Sequence, residues 1–224
     1  MKKLLLALVL AELMFVAGGR QTARMHADPC NDGVVFVGDS LTIGANASAP
    51  ANTYVYQIVD FLGGPWNAFL SFTPATDLEA VQQAAQGNYS CAIIELGVHA
   101  VLEGQMSPDQ FRQYYGLILD SMNRGDTAVV AGTIPWLGWA AGTPEYERAN
   151  LYSGIIAEEG AKRQVAVADL WSATKLQPAL ISTPQDYAFL DSSRGDNFHP
   201  NDAGHTIIAQ MYEHALVGGR PEGG

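Results

Sequence analysis

A serine near the start of the chain, and an aspartate and a histidine near its end, are the residue types that activated-serine chemistry requires. Ser40 stands in the Gly-Asp-Ser-Leu segment of residues 38–41, and Asp196 and His199 stand in the Asp-Asn-Phe-His-Pro segment of residues 196–200. A serine hydroxyl is a weak nucleophile until an imidazole within hydrogen-bond reach accepts its proton, and a carboxylate orients that imidazole. The two segments together predict acyl transfer through Ser40, with His199 as the base and Asp196 as its partner.

Each segment also has a plainer interpretation. A Gly-Asp-Ser sequence after a strand is common in turns whose side chains cap the local backbone, and Asp39 is interpreted as structural in this way. Asp196 and His199 are three residues apart, so both side chains fall on one side of a tight turn, where the carboxylate can fix the imidazole tautomer. Pro200 suits the first turn of a following helix. Because the two segments occur together and in this order, the catalytic interpretation is preferred.

The elements that must position these residues follow from hydrophobic spacing. Apolar runs bounded by turn residues predict five short strands, at residues 34–37, 66–70, 92–96, 128–131 and 165–168. Helical spacing or capping signals predict helices at residues 76–86, 111–122, 145–159 and 201–216. This alternation predicts an α/β fold, a three-layer α/β/α sandwich around a parallel sheet. Ligands bind beyond the carboxyl ends of such strands, so Ser40 and His99 fall at the binding edge, and residues 182–198 are expected to cross it.

These features resemble the SGNH/GDSL hydrolases. That family carries its nucleophile in a Gly-Asp-Ser-Leu block near the N-terminus and its base in an Asp-x-x-His-Pro block near the C-terminus, which matches Ser40, Asp196 and His199 here. The resemblance spans most of the mature chain. It implies a flavodoxin-like, five-stranded parallel sheet and the activity of a serine esterase or lipase, and it lends the three residues their catalytic roles.

Two positions depart from the family pattern, and both concern the oxyanion hole. Family members usually have Gly-x-Asn-Asp after the third strand, but residues 97–100 read Gly-Val-His-Ala, so His99 replaces the asparagine. A neutral imidazole still donates one N–H, so His99 is either an oxyanion donor or a histidine with no catalytic task. The family also expects a glycine after the second strand, where alignment places Phe72, with Ser71 and Gly64 as alternatives; each keeps a backbone N–H. The predicted oxyanion hole consists of Ser40, Phe72 and His99.

Further aromatic residues follow the fourth predicted strand or precede His199. Trp136, Trp139 and Phe198 are candidates for the wall of a substrate pocket, although the tryptophans would suit the core equally well. The histidines and cysteines show no zinc-ligand spacing, and no glycine-rich phosphate loop follows a strand, so neither a metal nor another cofactor is predicted. Three other histidines are interpreted as solvated or locally paired: His26, His205 and His214.

The first 19 residues have the pattern of a signal peptide, with two lysines, a short apolar run and small residues at the end. Glu12 interrupts the apolar run, and neither half approaches the roughly 20 residues that a membrane span needs, which disfavours a retained anchor. We therefore expect an exported protein, secreted or periplasmic, with no stable membrane insertion of the mature chain. The expected division is a signal peptide at residues 1–19, a catalytic domain at 30–217 and a flexible tail at 218–224.

The composition of the 224-residue chain suits one domain with its own core, since 48% of the residues are hydrophobic and 16% are charged. A formal net charge of −11 disfavours nucleic acid and anionic membrane surfaces as partners. Cys30 and Cys91 fall at the amino ends of neighbouring predicted strands, so an exported chain could join them in a disulfide. Two small buried thiols are the alternative.

The expected function is hydrolysis of carboxylic esters through an acyl-enzyme on Ser40. The expected substrates are small-molecule or glycan esters with short-chain acyl, aryl or acetylated-carbohydrate groups. Two alternatives remain open at this point. The same residues would serve an O-acyltransferase acting on an envelope glycan, and the altered positions His99 and Phe72 also fit a binding module that kept the fold but lost the reaction.

Overall fold

The structure, a computed structural model, describes residues 30–123, 125–186, 188–190 and 195–218. These residues form a parallel sheet with helices on both faces, which confirms the predicted three-layer α/β fold. The predicted signal peptide at residues 1–19, and the predicted tail apart from Gly218, lie outside the described residues.

The sheet has five short parallel strands among the described residues. Their order is β2-β1-β3-β4-β5, the order of flavodoxin-like sheets. Strands β1 and β3 are buried along their whole length, because helices cover both faces, and their sequences therefore read as continuous apolar runs. The strand order reverses between β1 and β3, so a crevice opens at their carboxyl ends. The strands are β1 Val34–Gly38, β2 Trp66–Leu70, β3 Cys91–Glu95, β4 Ala128–Gly132 and β5 Ala166–Ala168.

Helices connect the strands and cover the sheet. Helices α1 and α7 pack together on one face, whereas α2, α4 and α5 pack side by side on the other, as right-handed crossovers require for this strand order. Within the described ranges the helices are α1 Tyr54–Leu62, α2 Pro74–Ala84, α3 Val98–Glu103, α4 Pro108–Met122, α5 Pro144–Arg163, α6 Leu170–Thr174 and α7 Asp202–Gly218.

Local capping explains where the longer connecting helices begin. At the start of α4, the Ser107 hydroxyl accepts the Gln110 N–H and the Gln110 side chain accepts the Ser107 N–H, which is a complete capping box. The next residue, Pro108, occupies the first helical position, where its missing N–H is not needed. Helix α5 begins in the same way, with Thr143 as its cap and Pro144 in the first position. Helix α4 therefore begins at Pro108, ahead of the predicted range 111–122.

A disulfide joins Cys30 and Cys91, whose Cα atoms lie 5.1 Å apart, as the sequence predicts. Both cysteines are buried. Cys91 is the first residue of β3 and pairs in register with Val34, so the bond ties the amino ends of β1 and β3 together. Disulfides persist mainly in oxidising compartments, which agrees with an exported protein. Across the described part of the chain, no helix combines the length and apolarity that crossing a bilayer requires.

Candidate active site

The three side chains that the sequence singled out lie in one hydrogen-bonded chain. His199 Nε2 lies 2.9 Å from Ser40 Oγ, and His199 Nδ1 lies 2.6 Å from Asp196 Oδ2. Ser40 follows β1 at the crevice, whereas Asp196 and His199 belong to the turn before α7. Both distances fall in the range expected between a nucleophile, a base and the group that orients the base.

The close turn after β1 presents Ser40 at the edge of the sheet. A Cβ on Gly38 would lie 1.9 Å from Thr42 Oγ1, so the turn needs a residue without a side chain at this position. Asp39 is 1% exposed; its Oδ1 accepts the Leu41 N–H at 3.0 Å, and its carbonyl accepts the Thr42 N–H at 3.0 Å. These bonds agree with the structural role predicted for Asp39, and they leave Ser40 partly exposed.

Asp196 organises the turn that carries His199. Its Oδ1 accepts the backbone N–H groups of Phe198 and His199, each at 2.9 Å. Partial burial opposes ionisation of Asp196, but these hydrogen bonds and the contact with the His199 ring outweigh burial and lower the pKa of the Asp196 carboxyl. Asp196 is therefore an anion at neutral pH, which can hold the Nδ1–H of His199 and stabilise the ring when it is protonated.

Asn46 and Ser182 also contact Asp196, and the sequence analysis missed both. Asn46 Nδ2 donates to Asp196 Oδ1 at 2.7 Å and to Ser182 Oγ at 2.8 Å. The backbone of Ser182 pairs with the turn, because its N–H donates to the His199 carbonyl at 2.9 Å, so the stretch beginning at residue 182 does cross this edge. Asn46 has a φ of +62°. Asparagine is one of the few residues that adopts this conformation readily, but no local sequence pattern singles Asn46 out.

On the oxyanion side, the three candidates for the position after β2 differ in where their backbone N–H groups lie and donate. The Ser71 N–H donates to the Gly38 carbonyl at 2.9 Å, and Gly64 precedes β2 at the opposite end of the strand. The backbone N–H groups of Ser40 and Phe72 donate to no acceptor among the described residues. Phe72 is therefore the position with an available N–H at the carboxyl edge.

His99 lies beside Phe72 and faces the turn of residues 38–42 that carries Ser40 (the nucleophile turn). Its ring centroid is 6.4 Å from that of Phe72 in an edge-to-face arrangement. Its Nε2 lies 3.8 Å from Asp39 Oδ2. His99 is the second residue of α3, and its side chain is 26% exposed. The residue that replaces the family's asparagine is thus at the rim of the crevice rather than in the core.

Aromatic residues border the opposite side of His199. The Phe198 ring centroid lies 4.9 Å from the His199 ring and 6.0 Å from the Trp139 ring. Trp136 is 6% exposed and belongs to the hydrophobic core, where its Nε1–H donates to the Trp139 carbonyl at 2.6 Å. Of the three pocket candidates, Trp139 and Phe198 therefore border the site, and Trp136 lies in the core and contacts Trp139.

Other polar groups near the site bond to protein partners. Asp202 Oδ1 accepts the Ser48 N–H at 2.7 Å, and Asp202 Oδ2 accepts from Asn52 Nδ2 at 2.9 Å. These bonds tie the loop after the nucleophile to the start of α7. Within the described ranges, no cluster of three or more histidine, cysteine, aspartate or glutamate side chains has the geometry to hold a metal ion.

His205 fastens the nucleophile turn to α7 and α1. It is fully buried; its Nε2–H donates to the Ala45 carbonyl at 3.1 Å, and its Nδ1 accepts the Tyr54 N–H at 3.4 Å. The local pairing predicted for His205 is present, but the ring is not solvated, whereas His214 on the same helix is exposed. Burial lowers the pKa of His205 to about 4, so the ring is neutral at neutral pH.

His205 is expected to make the fold sensitive to acid. Its pKa in the folded protein lies below the ordinary value of 6.5, so between these two values the unfolded chain binds the extra proton and stability falls as the pH drops. The full loss below the lower pKa is about 3 kcal/mol. We expect His205→Gln to be less stable than wild type at neutral pH but to lose this pH-dependent contribution, as measured by denaturant unfolding across the acidic range. His214→Gln is the matched control, and parallel stability curves for wild type and His205→Gln would contradict the assignment.

The sequence profile of the GDSL-like Lipase/Acylhydrolase family matches residues 36–207, which is well over half of the chain and includes all three residues of the hydrogen-bonded chain. A search of the curated proteins found no significant match.

Several solved structures share the fold. A member of the lipolytic protein G-D-S-L family from Veillonella parvula is 14% identical, with a TM-score of 0.63 over 84% of this chain and 98% of that one. An acetylxylan esterase from Geobacillus stearothermophilus is 17% identical, with a TM-score of 0.59 over 82% of this chain and 93% of that one. An α/β hydrolase, LAE5, from the metagenome of Lake Arreo in Spain is 15% identical, with a TM-score of 0.59 over 84% and 96%. These likenesses show the fold, and the profile match shows that the chain belongs to the GDSL-like lipase/acylhydrolase family.

Proposed function

We propose that the protein is an exported serine esterase that hydrolyses carboxylic esters through an acyl-enzyme on Ser40. The observation that carries this proposal is the chain of contacts from Ser40 Oγ through His199 to Asp196, at 2.9 Å and 2.6 Å. Membership of an acylhydrolase family supports the reaction class. The disulfide supports export, for which residues 1–19 supply the proposed signal peptide.

The proposed reaction has two halves that use the same groups. In the first, His199 Nε2 takes the Ser40 proton as Oγ attacks the ester carbonyl carbon, and the leaving alcohol then receives that proton as the acyl group stays on Ser40. In the second, water gives a proton to His199 and attacks the acyl group, which releases the acid and returns the proton to Ser40. Asp196 stays ionised throughout and stabilises the imidazolium.

The oxyanion that forms in each half is assigned to N–H donors of three residues at the crevice. The available backbone N–H groups of Ser40 and Phe72 support this assignment. His99 is the third proposed donor, in place of the asparagine that the family uses, because its ring lies against Phe72 at the rim. Preorganised donors of this kind are often the largest single contribution to catalysis of acyl transfer.

The proposed substrates are esters with short acyl, aryl or acetylated-carbohydrate groups. The site lies between the Phe72 ring, which is 47% exposed, and the Phe198 and Trp139 rings, and such aromatic faces suit aryl groups and sugar rings. A structurally similar protein is an acetylxylan esterase, which supports including acetylated carbohydrates. The net charge of −11 favours a neutral substrate.

Fluorophosphonate labelling tests the proposal directly. Only an activated serine reacts covalently with this probe, so we expect one adduct by intact mass, located on Ser40 by peptide mapping, and loss of p-nitrophenyl acetate hydrolysis in the labelled protein. A folded wild-type protein that neither labels nor turns over ester would refute the proposal and favour a binding module.

Product analysis separates hydrolysis from acyl transfer. Incubation with an acyl donor and a candidate glycan acceptor should yield free acid and an unmodified glycan. Acylated glycan as the main product would identify a transferase that uses the same residues.

A further inference from the structure

Three carboxyl groups lie buried beneath the nucleophile turn, and the proposed reaction uses none of them. Asp39 is 1% exposed, and Asp77 and Glu95 are each 2% exposed. Each has one carboxyl oxygen with no hydrogen-bond partner among the described residues, namely Asp39 Oδ2, Asp77 Oδ1 and Glu95 Oε2. Leaving a carboxylate oxygen buried and unpaired is costly, so a cluster of this kind favours states in which a proton supplies a missing hydrogen bond.

Asp39 and Glu95 form a pair within this cluster. The parallel register places Gly38 beside Glu95 at the ends of β1 and β3, so the residue after Gly38 emerges at the same edge. Asp39 Oδ2 and Glu95 Oε2 are both buried without a partner among the described residues, and each carboxyl group acts on the pKa of the other. Ionised carboxylates are acceptors only, so a hydrogen bond between the two groups requires that one of them keep its proton.

Glu95 is the member of the pair that keeps the proton. Burial raises the pKa of Glu95 well above its ordinary value, and the nearby charges of Asp39 and Asp77 raise it further. Burial also raises the pKa of Asp39, but the Leu41 N–H and the neighbouring His99 favour its charged form. Asp39 is therefore the anion of the pair, and Glu95 is the neutral acid.

We propose that Glu95 is a positioning residue for Ser40: its protonated carboxyl group donates to Asp39, and Asp39 in turn holds the turn that carries the nucleophile. This inference rests on the proposed function of Ser40. Asp39 Oδ1 accepts the N–H of Leu41, the residue directly after Ser40, at 3.0 Å, and Asp39 Oδ2 lies 3.8 Å from His99 Nε2. One buried anion thus faces both the nucleophile turn and the histidine of the proposed oxyanion hole.

Titratable groups face the Asp39 and Glu95 pair from every element packed against it. Their charges determine the pH at which Glu95 loses its proton and the hydrogen bond to Asp39 is lost. Burial raises the pKa of the phenols around Glu95, so they are neutral at neutral pH and add no charge beside the pair. Ionisation of Glu95 therefore places a second negative charge against Asp39 and disturbs the turn at alkaline pH. The facing groups are Asp39 after β1, Tyr54 on α1, Asp77 on α2, Tyr115 on α4 and Tyr212 on α7, with His99 and His199 acting on Asp39.

Two substitutions of Glu95 test this role. Glu95→Gln keeps a hydrogen-bond donor for Asp39 and cannot ionise, whereas Glu95→Leu keeps bulk and removes the donor. At neutral pH we expect kcat to stay within about threefold in Glu95→Gln and to fall about 10- to 100-fold in Glu95→Leu, with a smaller change in KM. In Glu95→Gln the alkaline limb of the kcat profile should move to higher pH, which a merely structural role would not produce.

Glu213→Gln is the matched control, because burial alone raises the pKa of this carboxyl on α7, and its profile should coincide with that of the wild type. Wild-type turnover and fluorophosphonate labelling are measured first, so a failure of the proposed function is seen separately. With an active wild type, the inference alone is overturned if the alkaline limb is unchanged in Glu95→Gln, or if Glu95→Gln loses as much kcat as Glu95→Leu. If Glu95→Leu does not fold, the pH profile of kcat in Glu95→Gln alone tests whether Glu95 positions Ser40.

Discussion

Replacing Ser40 with alanine is expected to lower kcat for a short-chain p-nitrophenyl ester by a factor on the order of 10⁴ to 10⁶. The change removes the oxygen that is proposed to attack the ester. The fold should persist, because among the described residues the Ser40 hydroxyl bonds only to His199 and the turn is held by Asp39 and its backbone bonds. Steady-state kinetics and circular dichroism of the purified variant would measure both effects.

Ser48→Ala is a matched control for this experiment. Ser48 lies on the loop after the nucleophile, but its hydroxyl contacts Asp202 and Asn52 rather than His199. We expect Ser48→Ala to keep turnover close to that of the wild type. Wild-type turnover in Ser40→Ala would place the nucleophile elsewhere and remove the basis of the proposed mechanism.

Replacing Asp196 with asparagine is expected to lower kcat by about 10⁴. Asparagine can still accept the N–H groups of Phe198 and His199 through one oxygen, so the turn should survive. Its amide nitrogen would stand where Asp196 Oδ2 faces His199 Nδ1, which favours the tautomer with the proton on Nε2. That tautomer cannot accept a proton from Ser40.

Kinetics of Asp196→Asn, with Asp186→Asn alongside, measure this effect. Asp186 also lies in the stretch of residues 182–198, but its carboxylate accepts the Thr183 N–H at 2.6 Å. Its substitution should therefore leave kcat nearly unchanged. Equal activity of the two variants would show that His199 needs no carboxylate partner here.

The residues of the hydrogen-bonded chain could be predicted because their identity and local spacing carry the information. Ser40 follows a recognisable apolar strand, and Asp196 and His199 are three positions apart in a turn-forming segment. The strands were also predictable, since burial on both faces produces uninterrupted apolar runs. Their spatial order came from the family resemblance rather than from periodicity.

Features that depend on contacts between distant segments could not be predicted in this way. Asn46 contacts Asp196 across 150 residues of sequence, and no local pattern encodes that approach. The carboxyl pair of Asp39 and Glu95 arises from the register of β1 and β3. The apolar run around Glu95 does not indicate which residue lies beside it.

Some elements were missed for local reasons. Helices α3 and α6 have six and five residues, too few for helical periodicity to stand out, and α1 is rich in β-branched and aromatic residues that lower helix propensity. The apolar run of β2 also gave no indication that it is an edge strand, with Trp66 38% and Leu70 40% exposed. Periodicity alone does not separate an edge strand from a central one.

The covalent bond between Cys30 and Cys91 constrains one part of the candidate site and leaves the other part held by non-covalent contacts. The loop that it closes contains Ser40 and Phe72, whereas Asp196 and His199 lie outside it. Detachment of the C-terminal segment would therefore withdraw the proposed proton acceptor, while the proposed nucleophile and its neighbouring donors stayed in place. Inactivation by such fraying would be reversible, because the chain needs only to dock its last helix again to restore the missing half.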